Sequence, residues 1–299
     1  MPVYSVILIV ISCIFHTTWN ALSKKREASC KSALWANLLA ILIFIPFIGF
    51  VKDDLSIYKH IWFLGLIAGF CNAVAYWGIL AAYRVGDLTF VYPLNNAFPI
   101  ILSTVFAIII GKAADITGLA YIGFFLIILG CLIIPIDNPK NISWKTFLSL
   151  SVLFILIDAL GTAGYCNIDS NIMNTIQNTS KLSKFQTGIL YIPYLGLTTS
   201  VFLIPFVIFD HKIFNVPLKE TQWNFWSLLS MAIFIHIGYF LVFITYGMVK
   251  NVNYVIAFRQ IGMLFTMIAG FFIFKEKAYP CKIIGGFLIV AGLVLTALF

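Results

Sequence analysis

Charge is scarce in this sequence. Only 10% of its 299 residues are Asp, Glu, Lys or Arg, where an ordinary soluble domain carries about 25%. A chain that is 62% hydrophobic cannot hide its apolar surface from water, because single cores stop growing near ~250–300 residues. The solvent for most of it is lipid. Acid is the scarcer sign, with 11 Asp and Glu against 19 Lys and Arg, for a net charge of +8. The basic residues stand singly or in short clusters between apolar runs, and no basic stripe with interleaved aromatics lies outside those runs. They read as loop and headgroup anchors, which excludes nucleic acid as a partner.

Reactive spacing is also missing. The six cysteines are Cys13, Cys30, Cys71, Cys131, Cys166 and Cys281. None forms a CxxC or other metal-binding pattern, and most fall inside apolar runs, where cysteine behaves as a small hydrophobe. There is no HExxH, no pair of intramembrane aspartates and no serine/histidine arrangement on opposed helices. Asp53-Asp54 beside Lys52 reads as a solvated turn. The expectation is a protein that is not an enzyme and needs no metal or cofactor. The first apolar run lacks a basic leader and a clear small-residue cleavage site, so it reads as a span and not as a cleaved signal.

What the sequence does have is apolar length. A spanning helix takes about 20 mostly apolar residues, and ten such runs are present: 3–22, 32–51, 61–83, 88–111, 116–136, 146–166, 187–209, 225–249, 252–274 and 281–299. The predicted fold class is an all-α membrane protein. The connections are short. The longest, 167–186, is rich in Asn, Ser and Thr; it reads as a loop and as the candidate hinge or lid between two halves.

Ten runs invite a search for two sets of five. Ile45-Pro46-Phe47 in run 2 matches Ile204-Pro205-Phe206 in run 7. Tyr76 and Tyr83 in run 3 match Tyr239 and Tyr246 in run 8. Gly123 and Gly130 in run 5 match Gly285 and Gly292 in run 10. The matches occur in one order, predicting a first five-helix repeat over residues 1–140 and a second over 141–299. A five-helix unit ends on the opposite side from its start, so two in tandem lie inverted. Inverted repeats are an architecture of alternating access, with a site near the midplane between them.

Polar groups inside the runs are few enough to name. Of the charged residues, Asp158 in run 6 and Arg259 in run 9 fall within spans, joined by His16 and His236. A charge near mid-membrane costs about 2.5–3.5 kcal/mol and must face protein or water. Asp158 reads as a substrate or proton site, or as a structural aspartate bonded to neighbouring helices. Arg259 reads as a binding residue or as the counterion of Asp158. His236 reads most simply as a histidine bonded to a neighbour. His16, Trp19 and Asn20 stand at i, i+3 and i+4 on one helix face, which should look inward; aligning runs 1 and 6 sets His16 opposite Asp158. In run 4, Tyr92, Asn95 and Asn96 lie in a segment holding Pro93 and Pro99. Prolines strip amide hydrogens and disturb a helix, and freed carbonyls at membrane depth line a cavity or find new partners. Tyr76, Trp77 and Tyr239 are candidate cavity walls or ordinary packing.

These motifs together resemble the drug/metabolite transporter superfamily, in its EamA-like branch with duplicated five-helix units. The resemblance covers essentially the whole chain. Phe15-His16-Thr17-Thr18-Trp19-Asn20 resembles the family's FHAxWN start. Gly86-Asp87-Leu88-Thr89 through Tyr92-Pro93 to Pro99 resembles its GDLSxxYPxxRxxxP run. Ala257-Phe258-Arg259, then Lys275-Glu276-Lys277 and the Gly285 to Gly292 helix, resembles the second-repeat pattern, and Asp158 with Gly161 looks like a branch feature. Asn96 stands where the family usually has arginine, Lys112 where it has glutamate after helix 4, and Gln260 where glutamate follows the second-repeat arginine. The resemblance implies a ten-helix basket in a bacterial inner membrane and secondary transport, often export, of amino acids or similar metabolites.

The residues and the resemblance together give an expectation of a transporter for a small amphipathic or zwitterionic solute. Asp158 would take an amine or a coupling proton, Arg259 a carboxylate, and the aromatics the apolar part. Export of lipophilic cations is the alternative, drawing on Asp158 and on aromatic ring faces. The expected partners are the small solute, protons as a candidate coupling ion and the bilayer, in a monomer or a homodimer. With the N-terminus inside, inner loops hold six Lys and Arg, and outer loops, with Lys282 at the start of the last run, twelve. That count favours the N-terminus outside, whereas the resemblance favours inside.

Overall fold

Serine, threonine and asparagine start most of the helices. Ser29 and Ser183 form capping boxes with Ser32 and Gln186, Thr117 accepts from Ala120 N, and Asn224 and Asn251 accept from Ser227 N and Asn253 N. Each side chain satisfies backbone donors that the first helical turn leaves open. The structure, a computed structural model, describes residues 1–25, 29–49, 51, 56–86, 88–136, 149–215, 224–272 and 279–298. Asp53-Asp54, Asp87 and Lys275-Glu276-Lys277 lie outside the described residues.

The helices are α1 Val3–Lys25, α2 Cys30–Ile48, α3 Tyr58–Val85, α4 Leu88–Ile109, α5 Gly118–Ile133, α6 Leu150–Thr179, α7 Lys184–Phe214, α8 Phe225–Tyr246, α9 Val252–Phe258, α10 Ile261–Phe272 and α11 Pro280–Leu298. Among the described residues there is no strand. Among the described residues, eight helices, namely α1 to α4, α6 to α8 and α11, are long and apolar enough to cross a membrane. Their outer faces are apolar. Val3, Ile7, Ile11 and Ile14 on α1 are 39–75% exposed at helical spacing, and Trp62 and Trp226 are exposed near helix starts, where aromatic belts meet the interface. These are the properties of an integral membrane protein.

Two expectations need correction. Residues 167–186 are not a loop: α6 continues to Thr179, α7 begins at Lys184, and only 180–183 link them. The Asn, Ser and Thr side chains that suggested a loop bond back to helix carbonyls. Asn167 donates to Ala163 O at 2.8 Å, Thr175 to Asn171 O at 2.9 Å and Thr179 to Thr175 O at 2.7 Å, so polar residues are tolerated mid-helix, while Ile172, Met173 and Ile176 are fully buried. The run 252–274 is not one helix but breaks at Arg259 and Gln260. There the backbone closes i→i+3 bonds, Gln260 N to Ala257 O at 3.1 Å and Gly262 N to Arg259 O at 3.1 Å. Conversely, α4 stays helical through Pro93 and Pro99; each proline removes one amide donor, and at Pro99 this leaves the Asn95 carbonyl without its helical partner.

Helices from the first half pack chiefly against helices from the second. α3 lies along α6, α1 along α8, α2 along α7 and α5 along α11; α3 also meets α7, α2 meets α8, α4 meets α6 and α1 meets α10. Several crossings rest on glycine. A Cβ on Gly130 would stand 2.6 Å from Gly285 O, and one on Gly292 2.5 Å from Gly123 O. A Cβ on Gly161 would stand 2.5 Å from Cys71 O on α3. Small residues let backbones approach this closely in lipid, where helix association depends on packing.

Candidate functional site

Four helical segments bring polar residues to one interior face. On α6, Asp158, Thr162 and Tyr165 stand at i, i+4 and i+7, and Thr162 Oγ1 donates to Asp158 Oδ1 at 3.4 Å. On α1, His16, Trp19 and Asn20 share the face expected of them: Asn20 Nδ2 donates to His16 O at 2.9 Å and the His16 and Trp19 rings meet edge-on at 5.7 Å. On α4, Tyr92, Asn95 and Asn96 turn inward, and Asn96 Nδ2 donates to Tyr92 O at 2.6 Å. The break between α9 and α10 presents Arg259 and Gln260. The Arg259 carbonyl, which accepts from Gly262 N, also accepts from Cys13 Sγ at 3.2 Å, so the disturbed backbone is satisfied inside the protein.

These segments, with α3 and α8, line a partly open cavity of about 70 Å³. His16, Trp19, Asn20, Tyr76, Tyr92, Asn95, Asn96, Asp158, Tyr239 and Arg259 all line it. Tyr83 OH donates to Asn20 Oδ1 at 3.0 Å, holding the amide of α1 against α3. Trp19 packs on Tyr76 at 6.2 Å, and Tyr165 on Tyr239 at 5.9 Å. No hydrogen bond joins His16 to Asp158 among the described residues.

The hydrogen bonding of the cavity is incomplete. The Arg259 guanidinium has no hydrogen bond or ion pair among the described residues, and it stands more than 4.0 Å from Asp158. Asn95 Oδ1 and Gln260 Oε1 are buried acceptors without a donor. Buried polar groups are normally satisfied, so these atoms are open to a guest. The cavity therefore offers acceptors at Asp158, Asn95 and Gln260 and donors at Arg259. Among the described residues no group of three or more His, Cys, Asp and Glu could hold a metal ion.

Two predicted site residues lie elsewhere. Trp77, one residue past Tyr76, points away from the cavity, stacking on Phe206 at 5.3 Å and meeting Phe154 edge-on at 5.4 Å. His236 has Nδ1 3.0 Å from Ala232 O and Nε2 3.3 Å from Asn37 Oδ1, so whichever nitrogen carries the proton donates to a neighbour, and it lines a separate void of about 10 Å³. That is the bonded-neighbour arrangement. The residues that sequence reasoning missed had a signal. Thr162 and Tyr165 follow Asp158 at helical spacing, and Asn72 precedes Tyr76 by one turn; all three line the cavity.

Two further buried charges were also missed. Asp210, 2% exposed near the end of α7, pairs with Arg84 at 3.3 Å and accepts from Cys30 N at 3.0 Å, tying α2, α3 and α7 together. Asp169, on the part of α6 expected to be a loop, is completely buried.

No family model and no curated protein matches the chain. Solved structures do match, among them a crystal structure that aligns with a TM-score of 0.70 over 98% of this chain and 96% of the other, at 12% identity. At that identity the likeness is one of fold.

Proposed function

We propose that the chain is a secondary transporter of a small zwitterionic metabolite such as an amino acid, working by alternating access between two inverted five-helix repeats. The observation that carries this reading is the interior cavity in which Asp158 and Arg259 face the same space unpaired. Two opposite charges in one low-dielectric space attract strongly. Holding them apart makes sense when a guest bridges them, its ammonium at Asp158, Asn95 and Gln260 and its carboxylate at Arg259. Trp19, Tyr76 and Tyr239 supply walls for an apolar part.

The packing supports the repeat. Counting α9 and α10 as one interrupted span gives ten crossings. Exchanging α1 to α5 with α6, α7, α8, α9–α10 and α11 turns α3–α6 packing into α8–α1, α4–α6 into α10–α1 and α3–α7 into α8–α2, all of which occur. The α2–α7 and α5–α11 pairs map onto themselves. The tyrosine contacts support a register in which Trp19 matches Tyr165, one turn from the register that sets His16 opposite Asp158. The break at Arg259 fits the discontinuous helices at the sites of inverted-repeat transporters.

Lipophilic-cation export, which the aromatic lining would also serve, is disfavoured by a guanidinium in the same cavity. Proteoliposomes assayed with radiolabelled neutral amino acids and organic cations decide between them. Saturable movement of zwitterions is the expected result. Movement of cations alone, or of no solute, would overturn the reading.

A further inference from the structure

Asp169 is a buried charge that the cavity does not use. It lies on α6 eleven residues beyond Asp158, about three turns and roughly 16 Å further along the axis. Tyr191 on α7 donates its hydroxyl to Oδ1, while Oδ2 is buried without any partner. No Lys, Arg or His stands within 4.0 Å of it among the described residues. The titratable groups facing it are Tyr191 on α7, Cys71 on α3, Cys166 on α6 and Tyr246 on α8. None of these is a cation at neutral pH. Ile172 and Met173 on α6 and Leu190, next to Tyr191 on α7, are fully buried and apolar. An ionised carboxylate here would have one hydrogen bond and, among the described residues, no cation within 4.0 Å, a costly state at membrane depth. A carboxylic acid with its proton on Oδ2 has no such cost.

We propose that Asp169 is a proton-binding site separate from the solute cavity, closed at the α6–α7 interface by Tyr191. Loading adds one proton to the carboxylate and release returns it to water as hydronium; no other bond changes. Release requires α6 and α7 to part so that water reaches Oδ2. Asp169 shares α6 with the cavity residues Asp158, Thr162 and Tyr165. A movement of α6 that opens the cavity therefore also alters the surroundings of Asp169. The role in coupling rests on the transport reading above; the existence of the site does not.

The test is infrared difference spectroscopy of the full chain in lipid nanodiscs, titrated from roughly pH 4 to 9, a range that spans documented buried carboxyls. The readout is the carbonyl stretch of a protonated carboxylic acid, with the Asp158→Asn variant as background so that the cavity carboxyl is silent. A band that persists at neutral pH, disappears as the pH rises and is absent from Asp158→Asn/Asp169→Asn is the expected result. A neutral-pH spectrum without the band, or a band unchanged by Asp169→Asn, overturns the site. Should Asp169→Asn fail to fold, Tyr191→Phe serves instead: losing the hydroxyl must shift the frequency of the band, and an unshifted band overturns the assignment. No solute is needed, so failure here and failure of the transport reading are distinguishable.

Discussion

Asp158 and Arg259 face one cavity and stand more than 4.0 Å apart. A structural ion pair in such a place would close to hydrogen-bond distance, because an uncompensated charge in a dry interior is expensive. Asp158→Asn keeps the side-chain shape and a hydrogen bond to Thr162 while removing the charge. Zwitterion flux is expected to fall about tenfold or more, equivalent to about 1.4 kcal/mol or more, with melting near wild type; wild-type flux in a folded Asn variant would sink the binding role. Arg259→Gln should lose transport selectively for carboxylate-bearing solutes, measured on the same panel, and equal loss for cations would point to a structural guanidinium instead. Asp158, His16 and Asn95 were legible in the sequence because a polar side chain within an apolar run has few places to go. Trp77 was not separable from Tyr76, since adjacent helical residues point about 100° apart and only the packing chooses which faces inward. Asp169 escaped notice because its Asn- and Ser-rich neighbours mimic a loop.

At the scale of the helix, the repeated glycines acquire a reason. Gly123 and Gly130 on α5 meet Gly292 and Gly285 on α11, so the four residues that suggested a repeat form one mutual crossing. Gly130→Val would drive its Cβ into the Gly285 carbonyl and is expected to destabilise by about 1–3 kcal/mol. Unfolding of the detergent-solubilised protein, followed by tryptophan fluorescence, measures this; a midpoint equal to wild type would show that the crossing relaxes freely. The interruption at Arg259-Gln260 carries no proline signal, and α4 carries two prolines without an interruption. Proline removes one donor at a fixed place, whereas the bend at Arg259 is held by a tertiary contact from Cys13 on α1.

For the whole molecule, the two ends of the chain meet. The Met1 ammonium donates to Ala297 O at 2.7 Å, so both termini lie at one face. Epitope tags on each end should be accessible from the same side of sealed vesicles, and opposite accessibility would exclude an even number of crossings. Arg84 and Asp210 tie α2, α3 and α7 together at the other end of α3. With the interface between halves spread over α1–α8, α2–α7, α3–α6 and α5–α11, neither half buries its inner face alone. Separate expression of residues 1–140 or 141–299 is expected to give no stable protein, whereas coexpression of the two restores it; a stable isolated half, judged by size-exclusion elution, would contradict this.

The sequence by itself determined that lipid is the solvent, that helices carry the fold, and which polar side chains need shelter from hydrocarbon. Those conclusions follow from composition and run length, which are local quantities. Only the tertiary structure decided which of those side chains share a space. It brought Asp158, Arg259, the α4 amides and the α1 histidine face around one cavity, and turned Trp77 and His236 away from it. It also kept α6 helical past residue 166, and so buried Asp169 against Tyr191. Each of these depends on helix rotation and on contacts between residues far apart in the chain, and hydrophobic run length is blind to both.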